Sequence, residues 1–138
     1  MADKFDQLVI KASDGDAEAQ CELANYYYDI FDERFDPELA AKWYLKSAEQ
    51  GNAEAEFCIA RMYSWGDGLE ASSDKAVEWF KKAAKQGHTD AMCDLASMYL
   101  YDPEVRKSKK KAIQLYEKAA DLGNSNAQYY LGLLYLDG

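Results

Sequence analysis

The chain has 138 residues, 49% of them hydrophobic, and a formal net charge of −9 at pH 7, with no stretch that approaches the ~20 apolar residues of a membrane-spanning helix. The negative charge opposes binding to nucleic acid phosphates and anionic lipid, and the N-terminus lacks the apolar core of a secretory signal. The three cysteines form no Cys-x-x-Cys pair, so neither a disulfide framework nor a zinc site is indicated. We therefore expect one cytoplasmic domain without cofactor, metal, nucleic acid partner or membrane partner.

Eight helices are predicted in chain order. The first covers residues 3–13, and the others cover 16–30, 37–49, 53–65, 73–85, 89–101, 108–121 and 125–136. From 16–30 onward they form pairs, in which we name the first helix A and the second helix B. The helix over 3–13 is of the B type, because Phe5, Leu8 and Ala12 align with residues of the next B helix and cap the first repeat.

A strict 36-residue period underlies these pairs, since glycine recurs at positions 15, 51, 87 and 123. In each A helix the apolar residues fall on one face, as at 19, 23, 24 and 27, and the B helices show the same pattern at 40, 43, 44 and 48. Each glycine follows a B helix, where it supplies the left-handed residue that ends a helix. The period predicts an all-α solenoid whose repeats pack against their neighbours.

The B helices also carry start signals. Asp36 is expected to be an N-cap with Pro37 at the first helical position. Ser73 or Asp74 is expected to cap the next B helix, and Ser72 and Ser108 also lie where N-caps belong.

The repeated pattern GxAxAxxxLAxxY, then KAxxWxxKAAxxG, resembles the Sel1-like repeat family, which is related to the tetratricopeptide repeats. The match is best at 63–69 (YSWGDGL) and 74–79 (DKAVEW). The resemblance implies a right-handed α/α superhelix over 1–138, divided into a capping helix at 1–14, repeats at 15–50, 51–86 and 87–122, and a half repeat at 123–138. The A-to-B turns of the first and third repeats lack the family's GxG, so we expect them to differ in conformation but to keep their length.

No catalytic constellation is apparent. His88 occupies the turn position of Asp16, Asn52 and Asn124 in the other repeats. The Ser-x-x-Lys matches at 72–75 and 108–111 lack the SDN and KTG motifs of penicillin-recognising enzymes. The basic cluster at 106–111 indicates a solvated helix start, with a docking patch for an acidic partner as the alternative.

The resemblance to tetratricopeptide repeats assigns a concave partner-binding groove to the A helices. Aligning the Leu-Ala pair of each repeat predicts the following groove-facing side chains: Glu18, Cys21, Asn25, Tyr28 and Asp29; Glu54, Phe57, Arg61, Ser64 and Trp65; Asp90, Cys93, Ser97, Leu100 and Tyr101; and Asn126, Tyr129, Leu133 and Asp137. Aromatic residues with carboxylates and one cation suit an extended or helical peptide with basic and apolar side chains. The alternative is that some of these aromatic residues pack between adjacent repeats.

The resemblance implies a non-catalytic protein-interaction scaffold or adaptor. One alternative is a penicillin-binding or β-lactam-hydrolysing enzyme, as among cysteine-rich members of the family, although this chain lacks their paired cysteines and its thiols are expected to be free. Another is a cognate inhibitor such as an immunity protein. Because Gly138 aligns with Gly66 and no B helix follows the last A helix, we also expect either a longer solenoid or self-association through that helix.

Overall fold

The computed structural model describes residues 3–136, and over that range the chain forms eight α-helices and no strand. They are α1 (Lys4–Ser13), α2 (Ala17–Tyr27), α3 (Pro37–Glu49), α4 (Ala53–Trp65), α5 (Ser73–Lys85), α6 (Thr89–Tyr101), α7 (Lys109–Asp121) and α8 (Ser125–Leu136). The A helices are α2, α4, α6 and α8, and the B helices are α1, α3, α5 and α7. Each helix packs mainly against its neighbours along the chain, which gives an α/α solenoid. None of these helices is both long enough and apolar enough to span a membrane.

The predicted helix over 16–30 is too long at its C-terminus, because α2 ends at Tyr27. The segment after it turns through two aspartates whose side chains accept hydrogen bonds from the backbone. Asp29 Oδ1 accepts from the N–H of Phe31 at 2.9 Å, and Asp32 Oδ1 accepts from the N–H of Arg34 at 2.8 Å. Such local bonds compete with helix continuation.

The A-to-B turns reach the same end point in all three repeats, although their sequences differ. The N–H groups of Asp36, Ser72 and Ser108 donate to the carbonyls of Tyr27, Tyr63 and Tyr99 at 2.7, 2.9 and 3.0 Å. Asp36 and Ser108 are N-caps, as the sequence indicated. The cap of α5 is Ser72, which the sequence also placed at an N-cap position, whereas the expectation of Ser73 or Asp74 is wrong because both residues lie inside the helix.

The links from B to A helices are built alike. At Gly51, with φ 91°, the N–H donates to the Ala48 carbonyl at 2.9 Å, and the next N–H, of Asn52, donates to the Ser47 carbonyl at 3.3 Å. These two bonds close the B helix in a Schellman motif. The Asn52 side chain then accepts from the N–H of Ala55 and caps the following A helix. The glycines therefore recur every 36 residues because each one ends a B helix in the same compact link.

The interior combines small residues with larger aliphatic and aromatic residues. Ala24, Ala60 and Ala96 are completely buried where successive helices approach closely. The B helices contribute large buried rings, namely Tyr44, Phe80 and Tyr116. At the N-terminal end Phe5 and Leu8 of α1 pack with the buried Ala12 against α2.

Candidate functional site

A groove lies between the A helices α4 and α6, with a volume of about 180 Å³. Arg61, Ser64 and Trp65 line it from α4, and Asp94 and Ser97 line it from α6. Residues spaced by three or four positions share one face of a helix, so both helices present a polar and aromatic stripe to the same space. Phe80 and Met98 line its base.

Arg61 connects the two sides of this groove. Its Nε lies 2.7 Å from Oδ2 of Asp94, and its guanidinium carbon lies 4.4 Å from the ring centre of Phe57 and 5.5 Å from that of Trp65. A planar guanidinium that bonds through Nε keeps its terminal nitrogens for other partners. The ion pair is partly exposed to solvent, so its role here is to fix the geometry of the two side chains more than to stabilise the fold.

The groove continues between α6 and α8, where the space is larger, about 500 Å³. Asp94 and Ser97 line both spaces and join them. The second space is also lined by Cys93, Leu100, Tyr101, Tyr116, Tyr130, Leu133, Leu134 and Leu136. We call the two adjoining spaces the A-helix groove.

Two exposed aromatic residues stand along this groove at equivalent positions of consecutive repeats. Trp65 is 62% exposed and Tyr101, 36 residues later, is 74% exposed. Each is the last residue of its A helix. The groove therefore presents one aromatic side chain from each of these two repeats.

The first repeat contributes none of its predicted residues to the A-helix groove. Glu18 is exposed and Cys21 is buried. Asn25 accepts a hydrogen bond from the Tyr44 hydroxyl, and the Tyr28 hydroxyl donates to Asp67. These last two side chains hold α2 to α3 and to the turn that follows α4.

In the second repeat Arg61, Ser64 and Trp65 line the groove, whereas Glu54 and Phe57 do not. Glu54 Oε2 lies 2.8 Å from Nε2 of His88 at the start of α6. Phe57 is buried, and its ring lies against the His88 imidazole at 4.4 Å between centres. Phe57 thus supports Arg61 from below instead of presenting a free surface.

In the third and fourth repeats Cys93, Ser97, Leu100, Tyr101 and Leu133 line the groove. Asp90 does not, because its Oδ1 accepts a hydrogen bond from Asn124 at 3.0 Å. Tyr129 is exposed outside it, with its ring 5.6 Å from that of Tyr130, and Asn126 is exposed as well. Asp137 lies outside the described residues.

Sequence reasoning missed Asp94, Tyr116 and Tyr130 as groove residues. Asp94 could have been found from the sequence, because residues 94, 97 and 101 are spaced as one stripe of a helix. The alignment selected positions 93, 97, 100 and 101 but not 94. Tyr116 and Tyr130 gave no comparable signal, since their position depends on how closely α6, α7 and α8 approach one another.

The side chains that suggested chemistry have structural partners. Nδ1 of His88 accepts from the Ala91 N–H at 3.1 Å, so this imidazole is the N-cap of α6. The hydroxyls of Ser72 and Ser108 each accept from the backbone N–H of the lysine three residues later, at 3.2 Å, which accounts for both Ser-x-x-Lys matches as helix caps. Between residues 3 and 136 no group of three or more His, Cys, Asp or Glu side chains is placed to hold a metal ion.

The three cysteines are free thiols. Burial raises the pKa of Cys58 to about 12, and it raises the pKa of Cys21 and of Cys93 to about 11, with neighbouring carboxylates acting in the same direction. A thiol reacts as its thiolate, so these side chains are weak nucleophiles at neutral pH.

Comparisons with known proteins agree with the repeat pattern. The Sel1 repeat model matches residues 17–52, 53–88, 89–124 and 125–138. Among curated proteins, none matches the chain at a significant level. A Sel1 repeat protein from Oxalobacter formigenes has a TM-score of 0.79 and 31% identity, over 91% of this chain and 95% of that chain.

Two further solved structures share the fold. A protective antigen present in uropathogenic Escherichia coli strains, displaying an SLR fold, has a TM-score of 0.89 and 33% identity over 96% of this chain, which spans 29% of the length of that chain. Helicobacter pylori cysteine rich protein B has a TM-score of 0.72 and 20% identity, over 94% of this chain and 98% of that chain. At that identity the likeness to the H. pylori protein concerns the fold alone.

Proposed function

Because this chain belongs to the Sel1 repeat family, whose members generally act as protein-interaction scaffolds, we propose that it is a non-catalytic scaffold that binds a partner protein in the A-helix groove. The partner segment is an extended or helical peptide with apolar and basic side chains. The observation that carries the proposal is the pair of exposed aromatic residues, Trp65 and Tyr101, on either side of the Asp94 and Ser97 surface.

The aromatic pair supports a role in binding because large exposed rings of this kind are typical energetic centres of interfaces. An indole and a phenol each cover much apolar area and lose little side-chain entropy when a partner packs on them. Ser97, between them, offers a hydroxyl that can bond to the backbone of a peptide in the groove.

The preference for basic side chains rests on the first two repeats more than on the groove itself, since Arg61 already offsets the charge of Asp94. Residues 1–70 carry 16 acidic and 6 basic side chains, whereas residues 71–138 carry 9 and 10. The resulting field attracts a basic partner over a distance set by ionic screening. Added salt is therefore expected to weaken the complex.

A non-catalytic role agrees with the state of the titratable side chains. Family members are typically non-catalytic repeat scaffolds. His88 is engaged at both ring nitrogens, the helix-capping serines bond to backbone N–H groups, and burial holds the pKa of each thiol well above neutrality. Three free thiols also suit a reducing compartment, so we place the protein in the cytoplasm.

Site-specific photocrosslinking in cells tests the proposal. A photoreactive residue at Ser97 is expected to capture one partner protein, whereas the same residue at Lys42, exposed on α3, is expected not to. The same capture from both positions, or capture from Lys42 alone, would count against the A-helix groove as the binding surface.

A further inference from the structure

A second groove lies on the other side of the third repeat, between the B helices α5 and α7. Its floor is formed by Met92, Leu95 and Tyr99 of α6, and its volume is about 400 Å³. It shares no lining residue with the A-helix groove. We call it the B-helix groove.

Four lysines stand around this apolar floor. They are Lys81 and Lys85 of α5 and Lys111 and Lys118 of α7. All four are exposed, and none forms an ion pair with another residue in the range 3–136. Lys111 lies over the Tyr99 ring at 5.3 Å. Arg106 and Lys107 border an adjoining space of about 510 Å³, which Tyr99, Lys81 and Lys111 also line together with two carboxylates, those of Asp74 and Glu104.

The equivalent position one repeat earlier has a different construction. There Trp79 stands where the B-helix groove has Leu115, and the indole packs against the core of both repeats. Lys82 lies over that indole at 4.3 Å, as Lys46 lies over Trp43 at 4.9 Å in the first repeat. Leu115 provides no such ring, so Lys118, the counterpart of Lys46 and Lys82, has no aromatic partner below it.

The charges also change between the two positions. Where the B-helix groove has Lys81, Lys85 and Gln114, the earlier repeat has Leu45, Glu49 and Glu78. The B-helix groove therefore lacks the ring that fills the earlier position, and it has Lys85 and Gln114 where that position has two carboxylates. The space over Leu115 and the cluster of four lysines without ion-pair partners among residues 3–136 therefore lie in the same groove.

We propose that the B-helix groove binds an acidic segment of a partner protein, which inserts one bulky apolar side chain over Leu115 and places carboxylates beside the four lysines. The volume is large enough for a leucine or phenylalanine side chain. Carboxylates complement the lysines, and the apolar floor between them suits an apolar side chain on the same segment. The solenoid then holds two partner segments of opposite charge, one on each side.

Fluorescence anisotropy with labelled peptides tests this inference. The probe has glutamates on both sides of a single phenylalanine, and a second peptide has serine in place of the phenylalanine. We expect the chain to bind the phenylalanine peptide and to bind the serine peptide about tenfold more weakly. No binding of the phenylalanine peptide, or equal binding of both, would overturn the proposal.

Matched variants locate the binding. Leu115→Trp restores the ring of the earlier repeats without a change of charge, and it is expected to weaken binding of the phenylalanine peptide about tenfold. Lys81→Glu with Lys85→Glu is expected to do the same, and this double variant keeps the test valid if Leu115→Trp does not fold. Lys75→Glu with Lys82→Glu makes the same charge change at two lysines of α5 that do not line the B-helix groove, and it is expected to leave the affinity within about threefold of the parent.

Two further probes separate the classes of ligand. A DNA duplex and vesicles of phosphatidylserine are expected not to bind at physiological salt. If either binds and Lys81→Glu with Lys85→Glu abolishes that binding, the lysines serve phosphate recognition and the acidic-peptide proposal fails. If Leu115→Trp folds and binds the peptide as well as the parent chain, the groove is not the site.

Discussion

The side-chain amide of Gln86 donates a hydrogen bond to the carboxylate of Glu56, with 2.7 Å between Nε2 and Oε1. Glu56 is only 4% exposed, and burial raises the pKa of its carboxyl. One repeat earlier the same contact joins Gln50 to Gln20 at 2.9 Å, so there it joins two neutral side chains. The second repeat thus holds a buried charge where the first holds an amide.

We predict that Glu56→Gln raises the free energy of unfolding by about 0.5–1 kcal/mol at pH 7, because it keeps the contact with Gln86 and removes the buried charge. Because folding raises the pKa of Glu56, this residue contributes stability below its unfolded pKa of 4.5, and that contribution is lost as the pH rises through its folded pKa. The gain should therefore disappear near pH 4. Urea denaturation at both pH values measures it, and a variant less stable than the parent at pH 7 would contradict the prediction.

The reciprocal variant Gln20→Glu serves as its control. It places a carboxylate in the neutral position and also removes the bond from Gln20 Nε2 to the Ala12 carbonyl at 3.1 Å. We expect it to destabilise the chain by more than Glu56→Gln stabilises it.

A second prediction concerns the turn after α4, which packs on the start of α3. Gly68 has a φ of 76°, and a Cβ there would lie 2.4 Å from the carbonyl oxygen of Pro37. Gly123 has a φ of 94° with open space around it. Gly123→Ala is expected to cost about 1–3 kcal/mol through backbone strain alone, and Gly68→Ala at least about 1 kcal/mol more. Thermal unfolding measures the stability that each variant loses. Equal losses would contradict the prediction, because they would show that Pro37 moves aside for the added methyl group at little cost.

The three cysteine thiols are expected to make the free energy of unfolding depend on pH in the alkaline range. Each has a folded pKa above its unfolded value of 9.0, so their contribution is fully present below pH 9 and is lost as the pH rises toward about 11 to 12. We predict that the free energy of unfolding falls over this range under reducing conditions. Replacing all three cysteines with alanine should reduce the fall, and an unchanged pH profile would contradict this origin. The buried tyrosines leave a residual dependence, because burial also raises the pKa of Tyr44.

The repeat period allowed most of the helices to be placed from the sequence, since one glycine and one N-cap mark each B-to-A link. It could not place the end of α2, where Asp29 and Asp32 turn the chain without a glycine. The groove residues were assigned by aligning the repeats. An alignment gives the position of a residue within its repeat, but it does not give the distance between neighbouring helices. Tyr116 and Tyr130 were therefore missed, and the space over Leu115 becomes apparent only when its neighbours from three helices are in place.

The prediction of self-association concerns the apolar side chains of α8. Leu136 is 84% exposed, and Leu133 and Tyr135 are exposed too. We expect the mass measured by sedimentation velocity to rise with concentration, and Leu133→Glu with Leu136→Glu to shift the rise to higher concentration. A monomer at every concentration would remove the prediction.

The most direct test of the scaffold proposal is the affinity of the partner captured at Ser97, measured by titration calorimetry for the parent chain and for Trp65→Ala and Tyr101→Ala. Each variant is expected to weaken binding about tenfold with unchanged helicity, because both rings are exposed and contribute to the groove more than to the core. Phe31→Ala is the matched control, since that ring is 92% exposed and lines neither space of the A-helix groove. Folded Trp65 and Tyr101 variants that bind as tightly as the parent would contradict the account.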